Sequence, residues 1–351
     1  MIARATALLC VTAAWVWAQA PTCEATPNSM TPASWKPPAV SATKAPRGPL
    51  KFLGEFPLPG PANRFDYQAV DPSNGRLYMN HMNAGSTIVF DADSNRVLSE
   101  IKDLSRATGV RIVAAHHHVY VSAAGSHEVA IIDDRTLKVV GRVGGIRFPD
   151  GIAYASHADK VFVSDESGGA EIVIDAKTVT KRSTIALGGE AGNSQYDSVS
   201  HCVLVAVQTR NQLVAIDPAT ERIVQRYDLA GSDHPHGFAI DEVDRLAFVS
   251  SEDNATLQVL DLRTMRVTGT HKVGDSPDVL AWDPEWRRLY VAAESGVVSS
   301  FWLTGTKLEA LGEIRAPHAH SVAVDTRTHR VYLPLENVSG HPLLRIYEAS
   351  P

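Results

Sequence analysis

Val119-Tyr120-Val121-Ser122 is a short alternating segment that recurs along the chain as Leu77-Tyr78-Met79-Asn80, Val161-Phe162-Val163-Ser164, Val203-Leu204-Val205-Ala206, Ala247-Phe248-Val249-Ser250, Leu289-Tyr290-Val291-Ala292 and Val331-Tyr332-Leu333-Pro334. The first residues of these seven copies stand 42, 42, 42, 44, 42 and 42 positions apart. Four strands and their turns in one propeller blade need about 40–45 residues. A helical repeat would instead carry a 3.6-residue apolar period, which these segments lack. The repeat therefore predicts an all-β, seven-bladed β-propeller.

A second series keeps the same register. Asp91, Asp133, Asp175, Asp217 and Asp261 each close a predicted strand, and Ser or Thr follows three residues later. Such residues read as tight turns between third and fourth strands, with the Asp side chain accepting from its own backbone. The last copy has room for only three strands before Pro351, whereas Lys51-Phe52-Leu53-Gly54-Glu55-Phe56 resembles the fourth-strand segment that starts at Lys307. The N-terminal strand is thus expected to complete the last blade, leaving no open sheet edge. A ring closed in this way is expected to be a monomer.

Outward from the repeat, the domain is expected to span residues 50–351. Residues 21–49 are rich in Pro, Ala, Thr and Ser and read as a flexible leader. The first twenty residues carry Arg4, an apolar stretch from Ala5 to Trp17 and the small-x-small sequence Ala18-Gln19-Ala20, the pattern of a signal peptide cut after Ala20. No second apolar stretch approaches the length of about 20 residues that a membrane helix needs. The mature chain is therefore expected to be periplasmic or secreted. Of the three cysteines, Cys10 leaves with the signal, Cys23 lies in the leader and Cys202 in a predicted strand; no disulfide framework follows from their spacing. Loss of Arg4 takes the formal net charge from −6 to −7, which gives no support to bulk electrostatic binding of nucleic acid.

The strands Val-Tyr-Val-Ser and Leu-Tyr-Val-Ala, with the Asp-x-x-Thr turns that follow, resemble the YVTN-repeat propellers, the YncE-like proteins of bacteria. The resemblance covers roughly residues 50–351. It implies the fold and leaves the activity open, because propellers of this type serve as binding platforms, enzymes and assembly factors alike. The Trp-Asp and Gly-His signatures of WD40 repeats are missing, and kelch repeats have a longer period.

In a propeller, the loop entering the innermost strand and the loop leaving the second strand open on one face, around the central channel. Eleven residues before each repeated segment stand Asp66, Thr108, Asp150, Gly192, His236, Asp278 and His320; five residues after its start stand Met82, Ala124, Glu166, Gln208, Glu252, Glu294 and Glu336. The two rings bring three Asp, four Glu and two His to one face, with His81 in a nearby loop. Carboxylates gathered at about 8 Å repel by roughly 2 kcal/mol per pair at an effective dielectric of 20, so such a mouth favours a bound cation, a raised pKa or a basic ligand. The 44-residue spacing maps to Gly231-Ser232-Asp233, directly before His234-Pro235-His236, and the same H-x-H spacing recurs at His318-Ala319-His320. The propeller register aims His236 and His320 at the channel and leaves His234 and His318 in the loops. His116-His117-His118 falls on the opposite face and reads as a solvated hairpin.

These positions define the candidate sites. Asp66, His81, Asp150, Glu166, Gln208, His236, Asp278 and His320 are candidate ligand-binding residues, and Glu252, Asp278, Glu294, His320 and Glu336 candidate metal ligands. Carboxylate-rich surroundings suit Ca²⁺ or Mg²⁺, and imidazole participation brings in Zn²⁺ or Cu²⁺. Two functions fit. One is an exported binding platform for a small molecule, metal or peptide. The other is a divalent-metal-assisted lyase or lactonase with His236 or His320 as general base. No G-x-S-x-G elbow, H-E-x-x-H helix or phosphate-binding glycine loop is present.

Overall fold

The computed structural model describes residues 23–25, 31, 36, 48–317 and 319–349. The expected signal peptide, residues 1–20, lies outside them, as do most of the leader and His318. Seven antiparallel sheets of four strands form the propeller. Blades 1 to 6 are built from consecutive strands that begin at Gln68, Ala107, Pro149, Ala191, Pro235 and Pro277. In blade 7, Ala323–Asp325, Arg330–Val338 and His341–Ala349 are joined by the N-terminal strand Leu50–Pro57, which pairs from Leu50↔Ala349 to Pro57↔Leu343. The N-terminal strand therefore closes the ring.

The repeated segment is the second strand of every blade. Its bulky second residue, Tyr78, Tyr120, Phe162, Leu204, Phe248, Tyr290 or Tyr332, is wholly removed from solvent. Burying a side chain of this size contributes about 1.5–3 kcal/mol, and the seven copies sit in the clusters between or within blades. This accounts for the strictness of the period. The turn aspartates behave as their sequence suggests: Asp91 Oδ1 accepts from the backbone N–H of Asp93 and Ser94 at 3.0 and 3.3 Å, and Asp133, Asp175, Asp217 and Asp261 accept in the same way.

The cysteine reading needs correction. Cys23 and Cys202 form a disulfide across 179 residues of sequence. Ala25 is buried in the blade 4 and 5 cluster beside them, and the Glu24 N–H donates to the Ser200 carbonyl at 3.0 Å. Thr31 Oγ1 accepts from Arg245 Nε at 3.0 Å, and that guanidinium is bidentate to buried Asp197 at 2.7 and 2.6 Å. At these residues the leader is fastened to the face opposite the channel mouth. His116 also has a partner rather than bare solvent, with Nε2 2.7 Å from Asp159 of the next blade. Among the described residues no helix is long and apolar enough to cross a membrane.

Because the disulfide constrains a long loop in the unfolded chain, Cys23→Ser with Cys202→Ser is expected to lower unfolding stability by about 2–4 kcal/mol. Denaturant titration of oxidised wild type against the double variant measures this difference. Coincident curves would contradict a bond that fastens the leader.

Candidate functional site

The channel mouth is built by a backbone irregularity repeated in five blades. The ladder between the first and second strands skips two residues after Ala107, Pro149, Ala191, Pro235 and Pro277. Each skip is a bulge, and a bulge re-aims side chains out of the regular pleat. The residues released are Thr108, Asp150, Gly192, His236 and Asp278, five of the seven positions of the first ring. Asp66 and His320 occupy the corresponding places before the first strands of blades 1 and 7.

Small residues let neighbouring bulges approach. A Cβ on Gly237 would stand 1.7 Å from the Asp278 carbonyl oxygen, and one on Gly109 would stand 1.9 Å from that of Asp150. Gly237 must therefore stay a glycine if blade 5 is to lie against the bulge that carries Asp278.

At the mouth, Asp278 faces two imidazoles. Its Oδ2 lies 2.8 Å from His320 Nε2 and its Oδ1 lies 3.3 Å from His236 Nε2. The other nitrogen of each ring faces a glutamate: His320 Nδ1 is 3.5 Å from Glu294, and His236 Nδ1 is 3.6 Å from Glu252. Asp66 approaches His320 at 3.7 Å and Asp150 approaches His236 at 3.6 Å. Two sets of potential metal ligands result, Asp66 with Asp278 and His320, and His236 with Glu252 and Asp278. Asp278 belongs to both.

Burial opposes charge on both rings, yet the surrounding carboxylates, Asp278 foremost, raise His236 to about 9 and His320 to about 10. Burial also works against charge on Asp278, and the two imidazoliums overcome it to hold this carboxyl below the usual range. Burial pushes Asp150 well above that range, brings Glu166 up to about 7 and raises Glu252. One mouth thus holds an ionised carboxylate beside others that keep their protons more readily. Both shifts favour the protonated, donating form of His236 and His320.

The polar atoms are incompletely satisfied. Asp66 Oδ1, Asp150 Oδ2, Asp278 Oδ1 and His236 Nδ1 are buried without a hydrogen-bond partner among the described residues. Arg64 Nη1 pairs with Glu294 at 2.9 Å, but its Nη2 lies 2.9 Å from His320 Nε2. That nitrogen cannot accept from Arg64 while it donates to Asp278. The carboxylate bond is the stronger because it is charge-assisted, so the arginine contact sets two N–H groups against each other. His236 Nε2 lies 3.0 Å from the Tyr67 hydroxyl.

A cavity of about 470 Å³ opens over these groups, lined by Asp66, Asp150, Glu166, Gln208, His236, Glu252, Asp278 and Glu294 among the expected residues. His320 joins it through Asp278. Two expected residues stand apart. His81 stacks on Phe65 with ring centroids 4.1 Å apart, under the loop that carries Gly60, and does not line the cavity. Glu336 lies within Arg330–Val338, a second strand whose pairing with the next shifts register between Leu335 and Val338, and its side chain joins neither ligand set. Conversely, Arg64, Arg106, Phe148 and His234 do line the mouth. They stand thirteen residues before their repeated segments, so the counting that located the other rings would have found them. Arg106 lies over the Phe148 ring at 5.0 Å.

No family model and no curated protein matches the sequence. Solved structures match in shape. Kuenenia stuttgartiensis hydrazine synthase superposes with a TM-score of 0.68 at 14% identity, over 80% of this chain and 95% of that one. U3-55K superposes at 0.71 and 11% identity, over 84% and 98% of the two chains, and the WD40 repeats of RRP9 at 0.71 and 11%, over 85% and 99%. These likenesses show the propeller fold alone, and the YVTN resemblance rests on the repeated strands and turns.

Gly237→Ala is expected to cost about 1–3 kcal/mol by overpacking, whereas Gly144→Ala, with open space at its Cβ, should stay within about 0.5 kcal/mol; thermal unfolding distinguishes the two. The imidazoles make a pH prediction. Both rings titrate above the 6.5 of a free imidazole, so their stabilisation is fully present below about 6.5 and is lost as pH rises through about 9 to 10. In Asp278→Asn, NMR titration should find both midpoints fallen toward or below the ordinary imidazole value, and midpoints that stay put would contradict the assigned cause.

Proposed function

We propose that this chain is an exported propeller that binds a divalent cation at its channel mouth and presents it to a small ligand in the cavity above. The observation that carries the reading is the Asp278 carboxylate, shared by two ligand sets, with buried oxygens of Asp66, Asp150 and Asp278 that make no hydrogen bond and meet the imidazoles only as ion pairs at 3.7, 3.6 and 3.3 Å. Unpaired buried polar groups are costly, and a cation would satisfy several at once. Each set offers one imidazole and two carboxylates. That donor mixture suits Zn²⁺ better than Ca²⁺ or Mg²⁺, which favour oxygen ligands throughout. Export is supported by the signal-like first twenty residues and by the Cys23–Cys202 bond, since disulfides persist in oxidising compartments.

A second reading, a metal-assisted lyase or lactonase, is favoured by one feature. Arg64 and Arg106 line the same cavity as the ligand sets, so an anionic substrate could meet both a cation and a guanidinium. The cation would then stabilise developing oxyanion or enolate charge. Turnover of lactone or activated-ester probes that vanishes in His236→Ala with His320→Ala would favour this reading, and its absence leaves the binding platform.

Elemental analysis of the full chain, purified without an affinity His-tag and dialysed against Zn²⁺, should find near-stoichiometric metal in wild type and at least tenfold less in Asp278→Asn. Binding should release protons at neutral pH, because the metal displaces them from the imidazoles, and affinity should rise with pH toward about 9 to 10. A wild type that stays metal-free, or a variant that keeps its metal, would overturn the assignment.

A further inference from the structure

The opposite end of the channel has the reverse chemistry. A second cavity, of about 330 Å³, lies among the later residues of the innermost strands. Tyr67 lines both cavities and stands between them. The chain has 39 acidic residues, yet no Asp or Glu lines this second cavity among the described residues. Its single charged group is Arg111, on the innermost strand of blade 2, Ala107–Val113.

Arg111 forms no ion pair or side-chain hydrogen bond among the described residues. Burial pulls its guanidinium below its ordinary pKa, with no carboxylate acting against that shift. Two buried cations elsewhere in this fold meet carboxylates, Arg245 bidentate to Asp197 and Lys160 to Glu221 at 2.7 Å, and buried Arg288 donates to the Gly48 carbonyl at 3.1 Å. The amides Gln68, Asn193 and Gln195 line the same cavity, where the Gln68 NH₂ already donates to the Ser321 hydroxyl at 3.1 Å. Asn193 Oδ1 is already used by the Ser194 N–H, which leaves its NH₂ as a donor. The remaining wall is apolar, with Val110, Ile152, Leu280 and Trp282.

We propose that the lower channel is an anion-binding site in which Arg111 and the Asn193 amide hold the carboxylate of a small organic acid while Val110, Ile152 and Trp282 cover its apolar body. A guanidinium presents paired N–H donors that match a carboxylate bidentately. Arg111 is half-buried in the cavity wall without a carboxylate partner, and an anionic ligand supplies the missing counter-charge. This site is separate from the cation site, and its ligand would bind when the upper mouth is disabled.

The test uses the full chain and benzoate as probe, with inorganic phosphate and benzamide in parallel. Calorimetric titration should give one saturable site for benzoate and none for benzamide, which lacks the charge. Arg111→Gln should weaken benzoate at least tenfold, Arg111→Lys should weaken it less, and Asp278→Asn should leave it unchanged. Thermal unfolding without ligand provides a control for folding: Arg111→Gln should be at least as stable as wild type, since it removes an uncompensated charge, and should gain nothing from benzoate. Equal benzoate affinity in wild type and Arg111→Gln, or no benzoate binding to wild type up to tens of millimolar, would overturn the proposal. Phosphate bound in preference to benzoate would overturn the carboxylate assignment.

Discussion

The Asp278 carboxylate, held between two buried imidazoles, is the constraint on which the upper site depends. Two cations on one carboxylate explain why that carboxyl keeps its charge while burial raises its neighbours Asp150, Glu166 and Glu252. The same contact favours the protonated form of His236 and His320. Protons and a metal ion compete for one set of atoms. Remove Asp278 and both rings lose the partner that offsets their desolvation.

That carboxylate is positioned by the backbone. A two-residue skip in the inner ladder turns it toward the axis, and Gly237 lets the preceding blade close against its carbonyl oxygen. The same device in neighbouring blades delivers His236, Asp150 and Thr108. Closure of the ring by Leu50–Pro57 then ties blade 7, and with it His320, to blade 1. The chemistry of the mouth is therefore a product of blade geometry repeated around an axis, with the variation confined to which side chain each bulge carries.

The fold was legible because its cause is periodic: a fully buried residue at the same place in each second strand forces the period that counting detects. The first ring was legible for the same reason, down to Asp66, His236, Asp278 and His320. Local departures were not. His81 is captured by stacking on Phe65, and Glu336 is carried away by a longer hairpin in blade 7, neither of which leaves a mark on the spacing. The Cys23–Cys202 bond joins a segment of loop-like composition to a strand far along the chain, an approach that exists only in three dimensions. Arg111 lies further down the inner strands than the mouth register reaches, among apolar walls where one cation stands without a carboxylate.

The central claim is that a cation sits on Asp278, and anomalous X-ray diffraction from crystals equilibrated with Zn²⁺ tests it most directly, because the scattering locates the metal. The account predicts a peak within coordination distance of an Asp278 oxygen and of His320 or His236, with Asp66 or Glu252 completing the set. A peak elsewhere on the surface, or crystals of the Zn²⁺-treated protein with Asp278 still bonded only to the two imidazoles, would contradict it.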